Sequence, residues 1–135
     1  MTGPSNLAGA RVLVVEDEML VSLLIEDILA DSKCIIVGPY DRVPAALEAA
    51  RTLALDAAVL DVNLAGTKVY PVAEMLSARG VPFVLLSGYG AGAAPPEHPS
   101  WQVCSKPFKF EQLIAMLVEQ IASRHQRDLP SESRS

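Results

Sequence analysis

The chain has 135 residues, 50% hydrophobic and 20% charged, with a formal net charge of -5. That length suits one domain with a real core, and the composition is too apolar for a disordered polypeptide. No run reaches the roughly 18 uninterrupted apolar residues of a membrane span, so no membrane role is expected. The acidic balance argues against a nucleic-acid surface, which requires clustered Lys and Arg.

The opening Met1-Thr2-Gly3-Pro4-Ser5-Asn6 has neither the basic flank nor the apolar stretch of a signal peptide, and a cytoplasmic location is expected. Cys34 and Cys104 stand in apolar runs without CxxC or Cys/His spacing, against a metal or disulfide role. Residues 1–10 and 123–135 are expected to be flexible ends around a domain at 11–122.

Within that domain the hydrophobic period alternates. Arg11-Val12-Leu13-Val14-Val15 is a β-branched run that stops abruptly in acids, the pattern of a buried parallel strand. Met19 to Ala30 reads as a helix burying Met19, Leu20, Leu23, Leu24 and Ile28, with Ser22, Glu26 and Asp27 opposite. Cys34-Ile35-Ile36-Val37 is a second strand, closed by Gly38-Pro39. Ala45 to Leu53 is a helix with Pro44 in its first turn.

Ala57-Ala58-Val59-Leu60 is the third strand and runs into Asp61. A helix over Val69–Arg79 is stopped by Gly80. Pro82 to Leu86 is the fourth strand, ending at Ser87, and Trp101 to Cys104 is a weaker fifth, followed by Ser105-Lys106-Pro107. The last helix spans Phe110–Ala122.

Repeated β-α units with short connections predict an α/β fold, a doubly wound five-stranded parallel sheet. Between strands four and five, Gly88, Gly90, Gly92, Pro95, Pro96 and Pro99 make a helix costly, so that helix is expected to be shortened or replaced by a loop.

Ligands of such sheets bind beyond the carboxyl ends of the strands. Those ends here carry Glu16-Asp17-Glu18, Asp61, Ser87 and Lys106. Glu16, Asp17 and Asp61 crowded at one rim need a cation, and oxygen ligands that also share a phosphate select Mg²⁺. Lys106 can pair with Asp61 and then with a phosphoryl oxygen, while Ser87 supplies a hydroxyl. A metal, an ammonium and a hydroxyl around one carboxylate describe phosphoryl transfer with Asp61 as nucleophile. Glu18 reads as a helix N-terminal acid favoured by the dipole. Trp101 reads as packing, and His98 and His125 have no partner at ligand spacing.

From Arg11 to Ala122 the sequence resembles the receiver domain of bacterial two-component response regulators. The resemblance lies in Val-Val-Glu-Asp-Glu at 14–18, Leu-Asp-Val-Asn at 60–63 and Ser-Lys-Pro-Phe at 105–108. It implies a flavodoxin-like strand order 2-1-3-4-5 and phosphorylation of Asp61 by a histidine kinase or histidine phosphotransfer protein. It also implies direct Mg²⁺ ligation by Asp17, with Glu16 acting through a water and the backbone carbonyl of Asn63 completing the protein ligands. Lys106 would meet the phosphoryl group, Pro107 would follow a cis bond, and Ser87 would be the switch hydroxyl.

Two positions depart from the family pattern. Val103 stands where many receivers carry an aromatic that swings inward, and the segment at 88–99 replaces a helix that often binds partners. Pro-Phe-Val-Leu-Leu-Ser-Gly-Tyr-Gly at 82–90 resembles the Pro-Phe-x-Phe-Ala-Thr-Gly-Tyr-Gly signature of a stand-alone receiver subgroup, which makes Tyr89 a candidate replacement for the aromatic.

The expected function is therefore a stand-alone phosphoacceptor that catalyses only its own phosphorylation and dephosphorylation and presents a changed face to a downstream protein. A degenerate receiver acting as a phosphorylation-independent interaction module is the alternative. An aspartyl phosphatase of the haloacid-dehalogenase type fits less well, because Asn63 occupies the place of its general acid.

Overall fold

The computed structural model describes residues 7–88 and 94–128, with side chains through residue 124. Strand β1 (Arg11–Val15) leads into helix α1 (Met19–Asp31), β2 (Ile35–Tyr40), α2 (Val43–Thr52) and β3 (Ala57–Asp61). A small hairpin, β4 (Asn63–Leu64) and β5 (Thr67–Lys68), precedes α3 (Tyr70–Ala78), β6 (Phe83–Ser87), β7 (Val103–Ser105) and α4 (Phe110–Asp128). The large sheet is parallel throughout, in the order β2-β1-β3-β6-β7. This is the flavodoxin-like order expected once the two hairpin strands are set aside. Among the described residues no helix lies between β6 and β7.

Strand alternation explains the two cores. Leu13, Val15, Leu60 and Leu85 face α2 and α3, whereas Val12, Val14, Val59 and Val84 face α1 and α4. A strand covered on both sides has no solvent face, which is why β1, β3 and β6 are nearly continuous hydrophobic runs.

Helix α1 is rotated relative to the sequence expectation. Ser22, Ile25, Ile28 and Leu29 are buried, while Met19, Leu20, Leu23 and Leu24 are exposed, Leu20 by 81%. The helix is apolar almost all round, so its period alone admits two faces. Ser22 can be the inward residue because its hydroxyl bonds the Glu26 carboxylate at 3.0 Å. Leu29→Ala is expected to cost about 2–5 kcal/mol in urea denaturation, and Leu20→Gln less than about 0.5 kcal/mol.

Other boundaries also move. β2 does not stop at Gly38-Pro39 but continues through that cis bond to Tyr40, whose carbonyl accepts the Glu16 N–H at 2.9 Å. An edge strand tolerates Pro because no ladder bond is required on its open side. Gly38 has φ +114, and a Cβ there would lie 2.8 Å from the Val14 carbonyl oxygen, so only glycine fits.

Leu7, expected in a flexible terminus, is fully buried against the α1/α4 core. α4 passes the expected stop at Ala122 and reaches Asp128, and the Arg124 guanidinium donates to the Leu55 carbonyl at 3.3 Å. Gly80 ends α3 as expected, with φ +73 and its N–H bonded to the Ser77 carbonyl.

Candidate functional site

The carboxyl ends of β1, β3, β6 and β7 bring the expected residues to one rim of the sheet. Asp17, Asp61, Asn63 and Lys106 line a single cleft of about 340 Å³, together with Glu18 and Gly88. Asp61 is the last residue of a fully buried strand and is 4% exposed. Its Oδ2 lies 3.3 Å from Lys106 Nζ, and its Oδ1 accepts the Asn63 N–H at 3.4 Å.

Lys106 is placed by the β6–β7 pairing: its N–H donates to the Ser87 carbonyl at 2.8 Å, just after the registered pair Ser87/Ser105. Burial alone would lower the Lys106 pKa, but the Asp61, Glu16 and Glu18 carboxylates together raise it above the ordinary value. The Lys106–Pro107 bond is cis, as expected. Ser87 is buried at the end of β6.

Glu16 sits below the cleft. Its Oε2 accepts the Glu18 N–H at 3.1 Å, whereas Oε1 is buried without a hydrogen-bond partner and lies 3.7 Å from Lys106 Nζ. Burial, and then the nearby Asp61 carboxylate, push the Glu16 pKa up to about 8. An orphaned buried oxygen among carboxylates marks a centre short of positive charge. The donors are oxygens only, so the set fits a hard divalent cation such as Mg²⁺.

Asp17 is held by a part of the molecule that sequence reasoning did not find. Its Oδ2 accepts the Ala65 N–H at 3.0 Å, at the tip of the β4–β5 hairpin. Ala65 and Gly66 have φ of 51° and 86°, the two positive values of a tight two-residue hairpin turn. Asp17 thus ties the hairpin to the cleft that it lines, but it is not among the carboxylates whose oxygens converge within 4.8 Å of one another.

Glu18 stands at the helix start, as expected, and also faces the cleft. It is the N-cap of α1 but makes no side-chain capping bond, and its Oε1 lies 3.7 Å from Lys106 Nζ. One carboxylate oxygen each from Glu16, Glu18 and Asp61 falls within 4.8 Å of the others. The available signal was the third acid in a row, but a run of acids at a helix start is equally what the dipole favours.

His98, to which no partner was assigned, reaches the Glu74 carboxylate at 3.3 Å and stacks on Trp101 at a ring separation of 4.0 Å. Trp101 packs edge-on to Phe83, as a packing residue should. Neither reaches the cleft. Val103 is half-buried in β7, and Tyr89 lies outside the described residues. Cys34 and Cys104 are free thiols, and burial pushes both pKa values upward, Cys34 to about 11.

Residues 12–118 match the response regulator receiver domain, and the chain belongs to that family. SdrG from Sphingomonas melonis Fr1 is similar at 37% identity and a TM-score of 0.70, covering 84% of this chain and 98% of SdrG. The receiver domain of the sensor histidine kinase PA1611 from Pseudomonas aeruginosa PAO1, a structure with magnesium coordinated in its active-site cleft, is similar at 24% identity and a TM-score of 0.69 over 85% of this chain and 99% of that one. The response regulator PhyR from Brucella abortus shares the fold at 19% identity and a TM-score of 0.80, covering 98% of this chain, which spans only 56% of PhyR. No curated protein matches the sequence. No helix among the described residues is long and apolar enough to cross a membrane.

Proposed function

We propose that this receiver accepts a phosphoryl group on Asp61 from a histidine kinase or a histidine phosphotransfer protein. The observation that carries the reading is the 3.3 Å approach of Lys106 Nζ to Asp61 Oδ2 inside a cleft also lined by Asp17 and Asn63. An Asp61 oxygen attacks phosphorus, the bond from phosphorus to the donor imidazole nitrogen breaks, and its electron pair leaves with the imidazole. Lys106 moves from carboxylate to phosphoryl oxygen as negative charge shifts outward, and Ser87, at the end of β6, would supply the switch hydroxyl.

Asp17, Asp61 and the Asn63 carbonyl, with Glu16 acting through a water, would hold Mg²⁺, which when bound neutralises charge on the equatorial phosphoryl oxygens. Asp61 otherwise stays sheltered from bulk water, its strand being fully buried. The exposed stripe of Met19, Leu20, Leu23 and Leu24 follows Glu18 in the chain and would offer the phosphodonor protein an apolar surface. The reading places the protein in the cytoplasm as a signalling phosphoacceptor rather than an enzyme acting on other substrates, with a downstream protein reading the phosphorylated face.

Val103 in place of a swinging aromatic favours one second reading, an interaction module indifferent to phosphate. The two separate in one experiment, amide NMR of the full chain with Mg²⁺ and beryllofluoride. Shifts centred on Asp61, Ser87 and Lys106 are expected; an unchanged spectrum would overturn the phosphoacceptor reading and leave the interaction module.

A further inference from the structure

Sequence alone reserves no role for Glu18 beyond the start of α1, where it does stand, yet its side chain also reaches the cleft. It makes no capping hydrogen bond, and its carboxylate turns toward the cleft, 3.7 Å from Lys106 Nζ. There it completes a trio with Glu16 and Asp61, one oxygen of each within 4.8 Å of the others. Beneath the trio the Glu16 Oε1 atom is buried and has no hydrogen-bond partner. Asp17, by contrast, has one oxygen committed to the Ala65 N–H.

We propose that Glu18 is an additional carboxylate of the cation centre, raising its affinity for a divalent ion and sharing Lys106 until that ion arrives. This deepens, and rests on, the reading of the cleft as a phosphoryl-transfer centre.

The physical argument is one of charge and reach. Lys106 is the one cation paired with the trio among the described residues, at 3.3 Å from Asp61 and 3.7 Å from both Glu16 and Glu18. One ammonium cannot neutralise the Glu18 and Asp61 carboxylates together with the Asp17 carboxylate that lines the same cleft, so positive charge entering it is favoured. Glu16 is locked by its bond to the Glu18 N–H, and Asp61 ends a rigid strand. Glu18 differs because its side chain is 65% exposed at the cleft mouth and can swing on a long stem. It can therefore meet an ion, or a water on that ion, without strain elsewhere. When it does, Lys106 loses one competitor and is freer to face a phosphoryl oxygen. Glu18 is in this sense a positioning residue for Lys106 as well as a source of charge.

The test is calorimetric titration of Mg²⁺ alone into the full chain at fixed ionic strength, for the wild type, Glu18→Gln and Asp27→Asn. Asp27 is an exposed acid on the same helix and controls for net charge. Glu18→Gln is expected to weaken Mg²⁺ binding about five- to tenfold, the effect of one unit charge a few ångströms from a dication in a partly solvated site. Asp27→Asn should change it less than about twofold, being outside effective range at physiological salt. Amide NMR during the titration should show the Lys106 signal moving in the wild type over a lower Mg²⁺ range than in Glu18→Gln. Equal weakening by both substitutions, or none by Glu18→Gln, would overturn the role of Glu18 while leaving the centre intact. A wild-type chain that takes up no Mg²⁺ would overturn the centre itself and Glu18 with it.

Discussion

Asp61→Asn is expected to abolish phosphoryl incorporation, lowering the rate by about three orders of magnitude or more, because the amide oxygen is not a usable nucleophile at neutral pH. The fold should survive. Asn is isosteric, its side-chain oxygen can still accept the Asn63 N–H, and the buried strand that carries it is unchanged. What disappears is the pairing with Lys106, and with it the Asp61 carboxylate that Glu16 must tolerate. The loss in chemistry should therefore come with no large loss in stability. Phosphate-affinity electrophoresis after incubation with a small phosphodonor and Mg²⁺, beside a urea melt, checks both halves. Phosphate incorporation at wild-type levels in Asp61→Asn would place the acceptor on another residue.

The second large effect is on stability against pH. The Glu16 carboxyl ordinarily titrates near 4.5 and is raised to about 8 in the folded chain by burial and by its Asp61 neighbour. Between those values the native protein holds a proton that the unfolded chain has released. Stability then falls as pH rises through this window, and is level again once Glu16 is ionised in both states.

The full drop is on the order of a few kcal/mol. Lys106 does not offset it, because a lysine raised by its partners loses its contribution only above its ordinary pKa of 10.5. Urea midpoints in EDTA should fall between pH 5.5 and pH 8.5 for the wild type and stay nearly constant for Glu16→Gln. Saturating Mg²⁺ should flatten the wild-type curve too, since positive charge near the Glu16 Oε1 atom replaces the proton. A wild-type midpoint that rises with pH in EDTA would mean that Glu16 is ionised in the folded chain.

Much of this architecture could be read before any coordinates. Runs such as Val12-Leu13-Val14-Val15 and Ala57 to Leu60 have one explanation, strands covered on both faces, and the polar residue after each then falls at the sheet rim. That is why Asp17, Asp61 and Lys106 were found together. The failures have equally local causes. α1 is apolar on two sides, so its inward face is decided by where α4 and the sheet lie, and Ile25 and Leu29 win over Leu20 and Leu24.

The β4–β5 hairpin was invisible because Ala65-Gly66 lacks the Asn-Gly or Asp-Gly that usually announces such a turn. Its left-handed Ala65 is held from outside by Asp17, a contact 48 residues distant in sequence. The second placement of Glu18, beside Lys106, was hidden for a similar reason. Side-chain direction at a helix start depends on what stands opposite, and the opposing Lys106 arrives from the far end of the chain.

The bond from Asp17 to Ala65 has a mechanical meaning. One carboxylate is at once the hinge pin of a surface turn and a wall of the cleft that holds Asp61 and Lys106, so the two are geared together. Any event that draws Asp17 inward must tug on the hairpin tip, and any protein that grips the tip must loosen or tighten Asp17 in return.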